Sequence, residues 1–211
     1  EGRKARTLIE KSRKTIAVLL GVAPGEIFFT SGGTEADNMA VKCMVRDNGV
    51  TTVITSRIEH HAILHTVKEC AEHHNTDVQY VRLTDQGYID LEHLSYLLSK
   101  SPSGKTMVTL MHANNEIGSL LPIKQVSELC IKYDALFHSD TVQTMSHYKF
   151  DVQELNIDFL VGAAHKFHGP KGIGFLYINS KTKIQPFITG GSQERNMRGG
   201  TENLYGIVGL A

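Results

Sequence analysis

Short apolar runs rich in β-branched and aromatic residues alternate along this chain with longer stretches whose apolar residues recur every three or four positions. The short runs fall at 27–30, 52–55, 78–81, 106–112, 135–139, 158–161 and 174–178, and each reads as a strand. The longer ones fall at 3–20, 34–47, 61–74, 90–99 and 123–133 and read as helices. Within the last of these, Ile123, Val126, Leu129, Cys130 and Tyr133 form one helical stripe. Asp90, followed by Glu92 and Leu94, has the chemistry of a helix start. Several strand runs (FLV, ALF, TMVTLM) lack an alternating polar face, as expected where helices cover both sides of a sheet. The pattern predicts an α/β fold: a three-layer α/β/α domain around a mostly parallel seven-stranded sheet. No internal repeat, low-complexity tract or long linker interrupts it.

Composition narrows the classes of function. With 211 residues, 41% hydrophobic and 21% charged, the chain suits one large globular domain. Its 22 basic and 22 acidic residues balance, so no net field attracts nucleic acid or an anionic membrane. No apolar run is long enough to span a bilayer, and no secretory pattern is present. Cys43, Cys70 and Cys130 are odd in number, widely spaced and each within a helical pattern. They form neither a disulfide framework nor a zinc spacing, which points to a reducing, cytoplasmic setting. The first residues already read as helix and GIVGLA stops in mid-pattern, so the 211 residues are expected to be part of a longer chain.

Mostly parallel sheets bind ligands at the carboxyl ends of their strands. The polar residues of this sequence gather there: SGGTEADN, SRIEHH, ANNEIG, DTVQ and AAHK follow five of the predicted strands. Gly32 and Gly33 permit a tight turn before Thr34 and Glu35 open a helix whose free N–H groups favour an anion. That segment is a phosphate cradle, or else a helix capped by Ser31 or Thr34 with no ligand. It matches neither a P-loop nor a dinucleotide fingerprint. Asp140 stands just past a strand with Gln143 one helical turn later. It is a turn former, or a carboxylate facing a protonated ring nitrogen. Asn114 and Asn115 are amides that either orient a carboxylate or ring hydroxyl or simply make the turn before Gly118. His60, at a strand end, is placed to stack on a planar cofactor or move protons. His61 and His65 have the i, i+4 spacing of zinc ligands but no carboxylate between them in the H-E-x-x-H arrangement and no third donor. His73 and His74 read as solvated residues at a helix end.

Lys166 follows the apolar run Phe159-Leu160-Val161. Alone, it is a solvated strand-end lysine, or a lysine buried enough to act as an uncharged nucleophile toward a carbonyl. Beside a phosphate cradle, a ring-facing Asp and a stacking His, it completes the parts of a pyridoxal phosphate site. Lys171, in the turn GPKG, is the competing lysine and suits a solvated role.

TSGGTEADN, EHHA, HANNEIG, SDTVQ, AHKFHGPKGIG and GGSQERNMRGGTEN occur in this order, and from about residue 13 to the end the sequence resembles the NifS-like cysteine desulfurases. These belong to the class V aminotransferase group of fold-type I pyridoxal phosphate enzymes. The resemblance implies that residues 1–211 are the cofactor-binding large domain, without a small C-terminal domain and an N-terminal segment. It implies that Lys166 anchors the cofactor covalently, that Asp140 pairs with the pyridine nitrogen, and that Gln143 bonds the ring's phenolic oxygen. His60 stacks on the ring and assists proton transfer. Gly33, Thr34 and His165 bind the phosphate, and Asn114, ahead of Asn115, lies near the substrate carboxylate and ring. A homodimer is implied in which Arg198 and Thr201 reach the partner's site, with Thr201 near the phosphate. The implied reaction turns L-cysteine into L-alanine and leaves a persulfide for a sulfur acceptor or iron–sulfur scaffold protein.

Two departures accompany the resemblance. Ala163 stands where the family usually has a serine that serves the phosphate. The family's nucleophilic cysteine and its carboxylate-clamping arginine lie in a later segment, and Cys43, Cys70 and Cys130 read as structural thiols. A selenocysteine lyase and a non-catalytic scaffold of the same fold are the alternatives. A scaffold has no need of Lys166, Asp140, Gln143 and His60 together.

Overall fold

The computed structural model describes residues 1–211. Helix α1 (Gly2–Leu20) precedes strand β1 (Ile27–Thr30), α2 (Gly33–Asn48), β2 (Thr52–Thr55), α3 (His61–His74) and β3 (Asp77–Tyr80). Then come α4 (Leu91–Lys100), β4 (Thr106–Thr109), α5 (Ile123–Lys132), β5 (Leu136–Asp140), the one-turn α6 (Val152–Leu155) and β6 (Phe159–Ala163). Besides a 3₁₀ turn before β1 (Pro24–Glu26), a second 3₁₀ turn (Ala164–Phe167), β7 (Gly174–Ile178), a third 3₁₀ turn (Gln193–Asn196) and α7 (Leu204–Leu210) complete the chain. The seven strands form one sheet in the order β1-β7-β6-β5-β4-β2-β3. Only β7 runs against its neighbours, β1 and β6. The α/β class and the mostly parallel seven-stranded sheet agree with the sequence pattern.

The strands alternate their side chains between two cores, which is why their sequences lack a polar face. On one side Ile27, Phe29, Ile54, Val108, Phe137, Leu160 and Tyr177 pack with α1, α4, α5 and α7. On the other, Phe28, Val53, Met107, Phe159, Val161 and Leu176 pack with α2 and α3. Each parallel strand places its carboxyl end at the same edge of the sheet, so the polar segments after β1, β2, β4, β5 and β6 converge.

Three local differences from the periodicity have physical causes. The run predicted at 106–112 ends as a regular strand at Thr109. Its N–H groups still reach β5, through Leu110 to His138 and His112 to Asp140, but the N–H of Met111 goes to the Glu59 carboxylate instead of to β2. Strand β3 starts one residue early, at Asp77, and lies at the edge of the sheet, where burial on one side only weakens its pattern. Helix α7 escaped the pattern because Gly206 and Gly209 dilute its apolar stripe; Asn203 caps it by accepting the Gly206 N–H at 3.0 Å.

Candidate active site

A cleft of about 230 Å³ opens at the carboxyl edge of the sheet. Its walls come from the ends of five strands. Gly33 and Thr34 line it from the start of α2, His60 from the start of α3, and Asn115 from the loop after β4. Asp140 and Gln143 line it from the end of β5, and His165 and Lys166 from the 3₁₀ turn after β6.

Helix α2 begins at the N-cap Gly32, and no side chain caps it. The capping by Ser31 or Thr34 that the sequence allowed is therefore not made, and the first N–H groups of the helix, which starts on the cleft wall, have no side-chain acceptors. Gly33 lets the helix start come this close: a Cβ there would lie 2.7 Å from Val142 Cγ2. Glu35, one residue into the same turn, is committed elsewhere. It accepts the Ser31 N–H at 2.9 Å and is gripped by Arg198 at 2.8 and 3.2 Å.

Asp140 is the last residue of β5 and is buried. Its Oδ1 accepts the Val142 N–H at 2.9 Å. Burial pushes its pKa up to about 7. A cationic N–H in the cleft would reverse that and hold the carboxylate ionised. His60 caps α3, accepting the Ala62 N–H on Nδ1 at 3.1 Å, which leaves Nε2 to carry the proton of the neutral ring. Beneath it the buried Glu59 accepts from Ser56 Oγ at 2.7 Å and from the Met111 N–H at 2.8 Å, joining the ends of β2 and β4. Burial raises the Glu59 pKa to about 8 despite those bonds.

Lys166 is exposed on the cleft wall. The burial anticipated for a nucleophilic lysine is absent because the 3₁₀ turn carries the residue out beyond the end of β6. Its place among the other cleft groups, not enclosure, separates it from Lys171, which lies exposed in the following turn.

The structure separates Asn114 from Asn115. Asn114 is buried and occupied: its Nδ2 donates to Ile58 O at 2.6 Å, and its Oδ1 accepts the N–H groups of Glu116 and Ile117 at 2.9 and 2.8 Å. It shapes the turn, and the exposed Asn115 faces the cleft. Thr201 and Arg198 line a separate hollow of about 170 Å³ with Phe29 and Ser31. Ala163 does line the cleft, as a methyl group. Three further wall residues, Asp37, Met111 and Val142, were not singled out from the sequence. For Asp37 a signal existed, since it stands one helical turn after Gly33 on the same face of α2.

His61 and His65 face each other on an open surface beside Arg57 and Lys68, and no group of three or more His, Cys, Asp or Glu side chains is gathered as metal donors. Cys43, Cys70 and Cys130 are buried within α2, α3 and α5, away from the cleft. Burial pushes the Cys43 and Cys70 thiols up to about 12 and 11, and Cys130 higher still. No helix is long and apolar enough to cross a membrane.

Comparison with known proteins places this geometry among relatives. The family model described as aminotransferase class-V matches residues 1–211. The cysteine desulfurase IscS of Dictyoglomus turgidum is 44% identical over 211 residues, covering 99% of this chain and 52% of that protein. The enzyme of the same name from Methanosarcina thermophila is 44% identical over 214 residues, covering 99% of this chain and 51% of its own. The chain thus spans about half the length of these relatives. Among solved structures, a NifS-like protein superposes with a TM-score of 0.93 at 40% identity, over 99% of this chain and 57% of the other. The NifS-like protein of Rickettsia africae does so with a TM-score of 0.89 at 36% identity, over 99% and 57%.

Proposed function

This chain belongs to the aminotransferase class-V family, and from that premise we propose that it is the cofactor-binding large domain of a pyridoxal phosphate-dependent cysteine desulfurase. The observation that carries the reading is the convergence of Lys166, Asp140, His60 and the uncapped start of α2 on one cleft. These groups fit the cofactor. The free N–H groups at Gly33 and Thr34 suit a phosphate, with His165 beside them. The Asp140 carboxylate has one oxygen bonded to Val142 and one left for a ring N–H. Gln143 suits the ring oxygen, and the Lys166 amine suits an aldehyde.

Bound there, pyridoxal phosphate would supply a ring that stabilises negative charge at the substrate carbon bearing the amine. The protein's part is positional. Lys166 would hold the cofactor's aldehyde through its amine and would move the proton at the substrate Cα. Asp140 keeps the ring nitrogen protonated. His60 would lie beside the ring, with Nε2 able to hand on a proton. Asn115 lies where the substrate carboxylate or the ring oxygen would need an amide. L-Alanine leaves, and the sulfur passes to a thiolate that is none of Cys43, Cys70 or Cys130 and from there to an acceptor or iron–sulfur scaffold protein. The working unit is a homodimer in the cytoplasm. In it Arg198, fixed by Glu35, steadies the loop that presents Thr201 to the phosphate of the partner's site.

The test uses the intact protein and its Lys166→Ala variant, each mixed with pyridoxal phosphate and then L-cysteine. A visible band that needs Lys166, a pyridoxyl group fixed on Lys166 by borohydride, and alanine formed from cysteine are expected. Cofactor bound without regard to Lys166, or no alanine formed, overturns the reading. Turnover of selenocysteine but not cysteine would reassign the protein as a selenocysteine lyase.

A further inference from the structure

Under Asp140 lies a second carboxylate to which the proposed chemistry gives no task. Asp37, on α2, is 1% exposed and lines the cleft. Its Oδ1 lies 3.4 Å from Nε2 of His138, which is fully buried two residues before Asp140 on β5. Neither atom has another hydrogen-bond partner. The other nitrogen of the ring, Nδ1, lies 2.7 Å from Thr109 Oγ1 on β4.

We infer that Asp37 and His138 hold one proton between them as a net-neutral pair, so that Asp140 is the one carboxylate carrying charge into the cleft. The last clause rests on the reading of Asp140 as the partner of the cofactor's ring nitrogen; the pair itself does not. The argument starts from counting buried groups. Asp37 and Asp140 both line the cleft, and Glu59 lies close enough for its ionisation to be opposed by both. Carboxylates this close in a low-dielectric interior do not all ionise. Asp37 alone has a buried base directly opposite an otherwise unpartnered oxygen. A proton on Asp37 donated to His138 Nε2, with Nδ1–H donated to Thr109, satisfies both orphan atoms at once.

Burial acts in the same sense on each partner, pushing Asp37 well above the usual carboxylate range and His138 down to about 4. The remaining charged or titratable groups around the pair are Asp140 on β5, Glu59 and His60 beside α3, and His165 and Lys166 after β6. None of these offers Asp37 a hydrogen bond. Asp37 and His138 are therefore positioning residues that act through Asp140.

The test is nuclear magnetic resonance of the intact protein, free of cofactor, with ¹³Cγ-labelled aspartate and ¹⁵N-labelled histidine. Asp37→Asn and Asp140→Asn, both isosteric, assign the two carboxyl carbons. The buried imidazole whose signals move in Asp37→Asn is His138. At neutral pH the expected result is a proton on Asp37 with His138 protonated on Nδ1 alone, or a doubly protonated His138 facing a bare Asp37; both are the neutral pair. Asp37→Asn then shifts the Asp140 midpoint by less than about half a pH unit, because no charge has been removed. A bare Asp37 carboxylate facing a neutral His138, or an Asp140 midpoint that falls by more than that in Asp37→Asn, overturns the inference. Cofactor binding is measured separately. A neutral pair in a protein that binds no pyridoxal phosphate upholds the pair and removes the reading of the site; a charged Asp37 in a protein that binds it does the reverse.

Discussion

Arg13 of α1 grips Glu194 through two parallel hydrogen bonds, Nη1 to Oε2 at 2.8 Å and Nη2 to Oε1 at 2.9 Å, and both residues are buried. The same two side chains also serve β1: Arg13 donates to Ile27 O at 2.7 Å, and Glu194 accepts the Phe29 N–H at 2.8 Å. This junction fixes the loop that leads to Arg198 and Thr201. It also holds Glu194, Arg195 and Asn196 in a run of left-handed conformations, with φ of 43°, 55° and 65°, which L-residues adopt at a cost of roughly 1 kcal/mol each.

Glu194→Ala leaves the buried Arg13 guanidinium with only a 3.3 Å contact to the half-exposed Glu10 carboxylate, and the expected loss is about 3 kcal/mol in urea unfolding. Arg13→Ala should cost a similar amount. The double variant should lose much less than the sum, since the second change removes the stranded charge. Additive losses would show that the two residues do not act on one another.

Asn114 and Asn115 are neighbours with separable effects. Asn114→Ala removes the three hydrogen bonds that shape its turn, and a loss of about 1–3 kcal/mol is expected in thermal or urea unfolding. Asn115→Ala touches no internal bond and should leave stability within about 0.5 kcal/mol, while weakening cofactor or substrate affinity. A reversed pattern would place Asn114, not Asn115, at the ligand.

Gly33→Ala brings a methyl group to 2.7 Å from Val142 Cγ2, so the helix start must move away from the turn that follows Asp140. Overpacking of this kind costs about 1–3 kcal/mol, and pyridoxal phosphate affinity should fall with it. Val142→Ala in the same protein removes the obstructing methyl and should restore much of the binding. Failure of the second change to rescue the first would mean that the spacing between α2 and Val142 does not govern the site.

His112 lies against Tyr148 and Phe150, with Nδ1 2.9 Å from Thr144 Oγ1. Burial pushes it down from the usual 6.5 to about 4. As pH falls, the unfolded chain takes up this proton first, so the contribution is complete above 6.5 and is lost between 6.5 and 4. Asp140 and Asp158, raised to about 7 and 6, act in the opposite sense on acidification. The difference between the protein and His112→Asn isolates the histidine. The denaturant midpoint of the parent should fall more steeply over that pH range, and parallel curves would show that His112 does not titrate on unfolding.

The architecture was legible because it is written in local periodicity. The strands at 27–30, 52–55 and 174–178 and the helix at 61–74 coincide with the pattern, since alternation between two apolar cores leaves strands with no polar residue to blur their limits. The clustering of polar residues after strands was legible for the same reason, and it includes Lys166, Asp140, His60, Gln143 and the glycine turn. Regularity failed where a distant group took over a local bond, as when Glu59 accepts the Met111 N–H and ends the fourth strand early.

Local sequence therefore specifies the order of elements, the sheet class and the edge at which the chemistry collects. Each follows from interactions between residues a few positions apart or from the alternation of side chains along a strand. Long-range packing sets which of two adjacent asparagines faces the cleft, that Lys166 stands exposed, that His60 is both cap and cleft wall, and that Asp37 lies opposite His138. Those outcomes depend on which donors and acceptors from remote segments meet when helices dock on the sheet. Asn114 and Asn115 have the same side chain; Ile58, 56 residues away from Asn114, accepts the hydrogen bond that tells them apart.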